Sequence, residues 1–260
     1  TLGFIYIELK RFGQAEELFS GALEMEENAP SYYGLATLNE RLGRAEIAIN
    51  YYEKAISLSN SYIGAYFDCA YLYDEAKNYE KAKEYYLKVI EFDPKEFWAH
   101  LNLGSIYERE NNDEEALRYF LNAYNINDKR PMVNFNLGVV YEKMKQYDRA
   151  LKHYLKELTS EKPYNFTYFN LGILYKDGFK DYENAKLSYL KGLEENQDQY
   201  LIWYNLGCLY ALMDDYDNAY DCFVFVFYKD RHLFNYIKTD NELNEFRNSL
   251  QYQKIIELTQ

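Results

Sequence analysis

The chain has 260 residues, of which 48% are hydrophobic, with 12 glycines and 4 prolines. This composition can fill a sizeable core, and so few turn-forming residues favour long helices over a β-rich fold. The net charge of −13 argues against a general nucleic-acid binder, which needs surplus Lys and Arg. It mildly favours a basic or polar partner, although the stronger interpretation is that most acidic residues only keep a long, thin protein in solution.

The three cysteines are odd in number and widely spaced, and they form no CxxC pair: Cys69, Cys208 and Cys222. This pattern indicates neither a disulfide framework nor a zinc site, and it favours a reducing compartment, so we expect a cytoplasmic protein. The sequence contains no run of 18 apolar residues, so it predicts no membrane span. The first residues, TLGFIYIEL, read as the second half of a helix, which suggests a fragment of a longer protein.

From this first segment onward, a pattern repeats every 33 to 35 residues. One column of small residues reads Gly3, Ala36, Ala70, Gly104, Gly138, Gly172 and Gly207, and a second reads Ala15, Ala48, Ala82, Ala116, Ala150, Ala185 and Ala219. Aromatic residues follow both columns at fixed offsets. The pattern predicts seven helix–turn–helix repeats over residues 1–228, each burying its apolar stripe against its neighbours. One interval contains an extra residue in KDGFKDYENA (176–185), which we expect to lengthen a turn and leave the helices intact.

The last repeat contains CFVFVFY (222–228), which is apolar on every face and therefore needs a cover. Residues 229–260 are predicted to be capping helices that supply it, with Asp240 as an N-cap. The expected packing residues are Leu233, Phe234, Ile237, Leu243, Phe246, Tyr252, Ile255 and Ile256.

Three segments share the pattern L-G-x-x-Y…A-x-x-x-F/Y: LNLGSIYERENNDEEALRYFLNAYNIND (101–128), FNLGVVYEKMKQYDRALKHY (135–154) and YNLGCLYALMDDYDNAYDCF (204–223). On these residues the chain resembles the tetratricopeptide repeat family over roughly residues 1–228. The resemblance implies an all-α fold, a right-handed α-solenoid superhelix closed by the C-terminal cap. In that family the first helices of the repeats line a concave groove and the second helices form the convex back.

The groove is where a function is expected. Two residues before the Gly column, four successive repeats carry Asn102, Asn136, Asn170 and Asn205, preceded by Asp68 in an earlier repeat. Amides complement a peptide backbone, and this column, the asparagine ladder, is similar to those that grip peptides in O-linked N-acetylglucosamine transferase and kinesin light chains. Apolar contacts would come from Phe135, Phe166 and Phe169. Alternatively, the amides bond a neighbouring helix and the rings are packing residues.

An acidic stripe, formed by Glu40, Asp74, Glu108 and Glu142, lies four residues after the small column and is partly offset by Arg41, Arg109 and Lys143. It favours a ligand with spaced basic residues, unless its charges only solvate the helix ends. The positions three before and one after the small column carry no cation. A clamp for the C-terminal carboxylates of chaperones is therefore not expected.

No catalytic or metal-binding motif is recognisable, and the three histidines stand in different repeats. We therefore expect no cofactor and no enzymatic activity. The leading hypothesis is a protein-interaction scaffold that holds an extended peptide or a partner helix in the groove. The alternatives are a targeting arm of an enzyme whose catalytic domain precedes Thr1, and self-association through the N-terminal end.

Overall fold

The computed structural model describes residues 2–258, which form sixteen α-helices and no strand. The predicted all-α fold of stacked helical pairs is confirmed. Thr1 of the first predicted repeat and residues 259–260 of the predicted cap lie outside the described residues. The helices are α1 (Leu2–Glu8), α2 (Phe12–Met25), α3 (Ala29–Arg41), α4 (Ala45–Leu58), α5 (Ile63–Glu75), α6 (Tyr79–Phe92), α7 (Phe97–Arg109), α8 (Asp113–Ile126), α9 (Val133–Lys143), α10 (Tyr147–Glu157), α11 (Thr167–Ile173), α12 (Tyr182–Glu195), α13 (Tyr200–Leu212), α14 (Tyr216–Lys229), α15 (Arg231–Phe234) and α16 (Leu250–Leu258).

The chain divides into two compact halves, residues 1–128 and 129–260. In the N-terminal half, α1 to α8 form four consecutive pairs, and each pair packs on the next. The small residues explain the close packing. A Cβ atom added at Gly104 would lie 2.5 Å from the ring of Phe120, so only glycine lets this ring pack against the first helix. The alanine column is fully buried in the same interfaces.

The turn inside each repeat ends the first helix with one residue in the left-handed region. These residues recur with the period of the repeat: Lys10, Gly43, Lys77, Asn111, Lys145, Lys180 and Asp214. Only one of them is the glycine that this conformation favours. The side chain of the residue before the second helix closes several of these turns, as when Asn112 accepts from the backbone N–H of Glu115 at 3.3 Å.

In the C-terminal half, α9 to α14 form three further pairs. The expectation that the extra residue lengthens a turn and spares the helices is wrong. Residues Leu174–Phe179 continue α11 as a π-helical segment. The backbone N–H of Asp181 bonds the carbonyl of Tyr175, six residues earlier, at 2.9 Å. The equivalent bond in the fourth repeat joins Asn112 to Tyr107, five residues earlier, also at 2.9 Å. The hydrogen bond that closes the turn is kept, and the extra residue is accommodated in the wider π-helical turns of the first helix.

The last pair is covered by the residues that follow it. Segment 222–228 is helical, within α14, and α15 and α16 pack against that helix. Phe234, Ile237, Leu243, Phe246 and Ile255 are buried in this cluster, and Leu233 and Tyr252 pack on it half-buried. Between α15 and α16 the backbone forms three short 3-10 turns, and Asp240 caps the one at Asn241–Leu243 by accepting from the backbone N–H of Glu242 at 3.0 Å.

Candidate functional site

In the N-terminal half, the ladder positions bond tyrosines of other helices. Asn102 on α7 donates its amide nitrogen to the hydroxyl of Tyr86 on α6 at 2.8 Å. Asp68 on α5 accepts from the hydroxyl of Tyr33 on α3 at 2.6 Å. Burial raises the pKa of the Asp68 carboxyl from 3.8 to about 6, although the tyrosine hydroxyls that bond it lower its pKa in part. Both side chains therefore already have a partner inside the protein.

The C-terminal half contains a similar relay. Asn170 donates its amide nitrogen to the hydroxyl of Tyr154 at 3.4 Å, and that hydroxyl donates to the Glu142 carboxylate at 2.8 Å. Tyr154 is fully buried, and burial raises the pKa of Glu142. The relay fixes the amide and the carboxylate side by side on the first-helix face, by which we mean the surface of the first helices that carries the ladder.

The other two asparagines behave differently. The amide nitrogen of Asn136 is buried and has no hydrogen-bond partner in residues 2–258. Asn205 donates to the carbonyl of Leu201, one turn earlier in its own helix, at 2.8 Å. The hydroxyl of Tyr189, sixteen residues before Asn205, is buried and likewise has no partner within that part of the chain. The four amides thus do not form one uniform row of bonds.

Several carboxylates of the acidic stripe bond neighbouring side chains. Glu40 accepts from the hydroxyl of Tyr52 at 2.7 Å, and Asp74 forms a two-pronged ion pair with Arg109 at 2.5 and 3.2 Å. Glu142 accepts from Tyr154 as described above, and Glu108 is half-buried. The ion pair with Arg109 offsets the charge of Asp74, whereas a neutral hydroxyl does not cancel the charge of Glu40 or Glu142 and only fixes the position of each carboxylate.

Two cavities open on the first-helix face of the C-terminal half. The first has a volume of about 430 Å³. Its walls include the relay residues Glu142, Tyr154 and Asn170, together with Val139 and Ile173, each one residue after the small column. The predicted carboxylate and amide therefore meet in one space that could hold a peptide segment.

The second cavity, of about 550 Å³, brings Phe166 and Phe169 together with Leu201 and with Leu233 and Tyr236 of the C-terminal tail. Phe166 is 38% exposed, so this ring is available to a ligand. Phe135 instead packs inside the half, with its ring centre 4.6 Å from that of Tyr164. The structure thus places Phe135 in a packing position and two of the three predicted rings beside a cavity.

The tyrosines that position the ladder were not among the site residues predicted from the sequence. The signal lies in the column four residues after the buried alanines, which alternates between Tyr and Phe. Where Tyr86 and Tyr154 occur, the asparagine sixteen residues later has an acceptor. A tyrosine at this spacing makes the bond possible but does not by itself decide it, because Asn205 follows Tyr189 by sixteen residues and bonds Leu201 instead.

Neither a metal-ligand cluster nor a membrane-spanning helix is present in the described part of the chain. No group of three His, Cys, Asp or Glu side chains there could hold a metal ion. Among the same residues, no helix combines the length and the apolarity that a membrane span requires.

Models of the tetratricopeptide repeat match most of the chain. One matches residues 1–28, 29–62, 63–96, 167–199 and 200–224, and two further models of the same repeat match residues 85–118 and 135–164. The chain belongs to the tetratricopeptide repeat family. Proteins of this family bind protein or peptide partners through a repeat that is generally non-catalytic.

Solved structures of repeat proteins share the fold at low sequence identity. The C-terminal part of a TPR repeat-containing protein from Cytophaga hutchinsonii is 16% identical, with a TM-score of 0.71 over 93% of this chain and 96% of that one. YrrB, a TPR protein described as having an unusual peptide-binding site, is 23% identical, with a TM-score of 0.63 over 72% and 96%. A chain of the APC/C hetero-tetramer Cut9-Hcn1 is 17% identical, with a TM-score of 0.65 over 85% of this chain. The present chain covers 44% of the length of that one. No curated protein sequence matches the chain.

Proposed function

We propose that this chain is a non-enzymatic scaffold that holds an extended peptide or a partner helix on its first-helix face. The observation that carries the proposal is the cavity of about 430 Å³ in which Glu142 and Asn170 are held side by side by Tyr154. Side chains that are fixed in advance lose little entropy when a ligand binds, so they suit a recognition site.

The chemistry of this cavity fits a peptide backbone. An amide has two N–H donors and one acceptor, and Asn170 uses one of its donors in the bond to Tyr154. A second donor and the amide oxygen remain for the C=O and N–H groups of a bound chain. The carboxylate of Glu142 can accept from a backbone N–H or from a lysine or arginine side chain. Val139 and Ile173 supply the apolar wall beside them.

The second cavity adds a place for an apolar side chain, because Phe166 and Phe169 form part of its walls. A ligand with spaced basic and apolar residues therefore matches this half of the protein, and the net charge of −13 favours the same class. The peptide-binding site named for YrrB supports a peptide ligand for the fold, with no implication for its sequence. A cytoplasmic location remains a prediction from the cysteine pattern.

The test uses peptides selected from a random library on the full chain, measured by fluorescence anisotropy. The double variant Asn136→Ala/Asn170→Ala should weaken binding at least ten-fold, because it removes two amides from the first-helix face. Its stability should change little, since the Asn136 nitrogen has no partner and the Asn170 bond is long. Asn184→Ala is the matched control, because Asn184 is an exposed amide on the second helix α12. Unchanged affinity together with a large loss of stability would show that the ladder is structural.

A further inference from the structure

The C-terminal tail turns back onto the first-helix face. Residues Asp240–Leu243, which we call the hook, form a 3-10 turn that packs on the first helix α13 of the seventh repeat. Leu243 is fully buried there. Arg247 holds the turn by donating to the backbone carbonyls of Ile237 and Asp240 at 2.9 and 2.8 Å. The hook is thus a defined structure with two carboxylates, Asp240 and Glu242, on its polar side.

Both carboxylates bond residues of the ladder-bearing surface. Asp240 accepts from the hydroxyl of Tyr204 at 2.7 Å, and the thiol of Cys208 lies 3.9 Å from the same oxygen. Glu242 accepts from the ammonium group of Lys176 with both oxygens, at 2.7 and 2.8 Å. The three partners stand at the positions three before, one after and four after the small column.

Two of these three positions line open space one repeat earlier. Val139 and Ile173, each one residue after the small column, and Glu142, four residues after it, line the cavity of about 430 Å³. The hook therefore covers, between repeats six and seven, the surface whose equivalent between repeats five and six lines the cavity. Its bond from Tyr204 to Asp240 also repeats the bond from Tyr33 to Asp68 inside the N-terminal half.

Lys176 indicates which ligand this place accepts. Four earlier repeats carry an acidic residue at this position, whereas Lys176 is a cation that is only 5% exposed. A buried ammonium group needs a carboxylate beside it, because an unpaired buried charge is strongly destabilising. The exposed Asp177 side chain approaches it only at 3.6 Å, so Glu242 supplies the main partner.

We propose that the first-helix face of repeats six and seven is a binding site for an acidic peptide segment, and that the hook is its resident occupant. The site takes two carboxylates separated by one residue and followed by leucine. A partner with this pattern replaces the hook without leaving Lys176 unpaired, so the number of ion pairs is conserved in the exchange. This site is distinct from the relay cavity and does not depend on Asn170.

The test uses a fluorescent peptide, KTDNELNE, which is residues 238–245 of this chain, and the full chain in anisotropy titrations. The attached hook has an effective concentration in the millimolar range and excludes the free peptide from the wild type. The double variant Asp240→Asn/Glu242→Gln weakens the hook and should bind the peptide at least ten-fold more tightly. Adding Lys176→Met should abolish the gain, whereas adding Lys191→Met, on an exposed lysine of α12, should not.

A second measurement compares cysteine labelling in the wild type and in the double variant Asp240→Asn/Glu242→Gln. Cys208 is 1% exposed and lies under Asp240, whereas Cys222 is buried in α14. The weakened hook of Asp240→Asn/Glu242→Gln should raise the alkylation rate of Cys208 several-fold without raising that of Cys222, and excess peptide should lower the Cys208 rate again because it covers the same thiol. Equal peptide affinity of wild type and double variant, indifference to Lys176→Met, or parallel labelling of the two thiols would each overturn the proposal. Asn136→Ala/Asn170→Ala should leave hook-peptide binding unchanged, which separates this site from the function proposed above.

Discussion

Asp68 stands at the ladder position where later repeats carry asparagine, and its replacement by asparagine should stabilise the protein at neutral pH. Burial is the largest cause of its raised pKa, and the nearby carboxylate of Glu40 adds to it. The hydroxyls of Tyr33 and Tyr52 lower the pKa but do not compensate for the burial. The ionised form is therefore less favourable in the folded protein than in the unfolded chain.

The sign and the magnitude follow from linkage. With a pKa of about 6 in the folded state and 3.8 in the unfolded chain, the folded protein binds more protons between these values. Its stability therefore falls as pH rises from about 4 to about 6. Above that range the loss reaches ~3 kcal/mol at most. Asparagine is neutral and keeps an oxygen for the Tyr33 hydroxyl, so Asp68→Asn should recover ~1 to 3 kcal/mol at pH 7.

The assay is urea unfolding from pH 4 to pH 8, followed by tryptophan fluorescence in a Trp203→Phe background. Trp98 then reports on the N-terminal half, to which Asp68 belongs. The parent should lose stability across pH 4 to 6 more steeply than Asp68→Asn. Glu84→Gln, an exposed isosteric change on α6, should leave the slope as it is. The reasoning fails if Asp68→Asn is no more stable than its parent at pH 7 and both share one pH profile.

Two further substitutions test local features of the C-terminal half in urea unfolding followed through Trp203. Lys145 has a φ of 58°, so Lys145→Gly should stabilise by ~0.5 to 1 kcal/mol, whereas Lys152→Gly in the middle of α10 should destabilise by ~1 kcal/mol; the same sign for both would contradict this. Tyr154→Phe removes the hydroxyl that serves Glu142 and Asn170 and should cost ~2 kcal/mol, and a change below ~0.5 kcal/mol would show that the relay adds little stability.

The repeat architecture could be predicted from the sequence because each column has one packing task. Gly104 admits the ring of Phe120, and the buried alanines let paired helices approach. The site of the extra residue could not be predicted in the same way. Insertions generally fall in turns, but here the turn has a fixed hydrogen bond at Asp181, and a π-helical segment keeps it. A local geometric requirement therefore decided which element changed.

The contact of the hook with the first-helix face could not be predicted from the sequence, although roles for two of its residues could. Asp240 was predicted as a cap and Leu243 as a packing residue, and both roles are present. Their position on the first-helix face follows from contacts between segments 66 residues apart, such as Lys176 with Glu242. No repeat period connects these residues. The one available signal was the single lysine in a column of acidic residues.

In the asparagine ladder, residues at equivalent sequence positions form different hydrogen bonds. Sequence spacing gives Asn102, Asn136 and Asn170 one role, but two of them bond a tyrosine hydroxyl, and the nitrogen of Asn136 is buried without a partner within residues 2–258. A buried amide without a bond destabilises the folded state, so packing does not account for asparagine at position 136. A ligand carbonyl supplies the missing acceptor where binding uncovers this nitrogen. Asn136→Ala alone should therefore leave stability unchanged or raise it slightly while weakening peptide binding, and a loss of stability without a loss of binding would contradict this account.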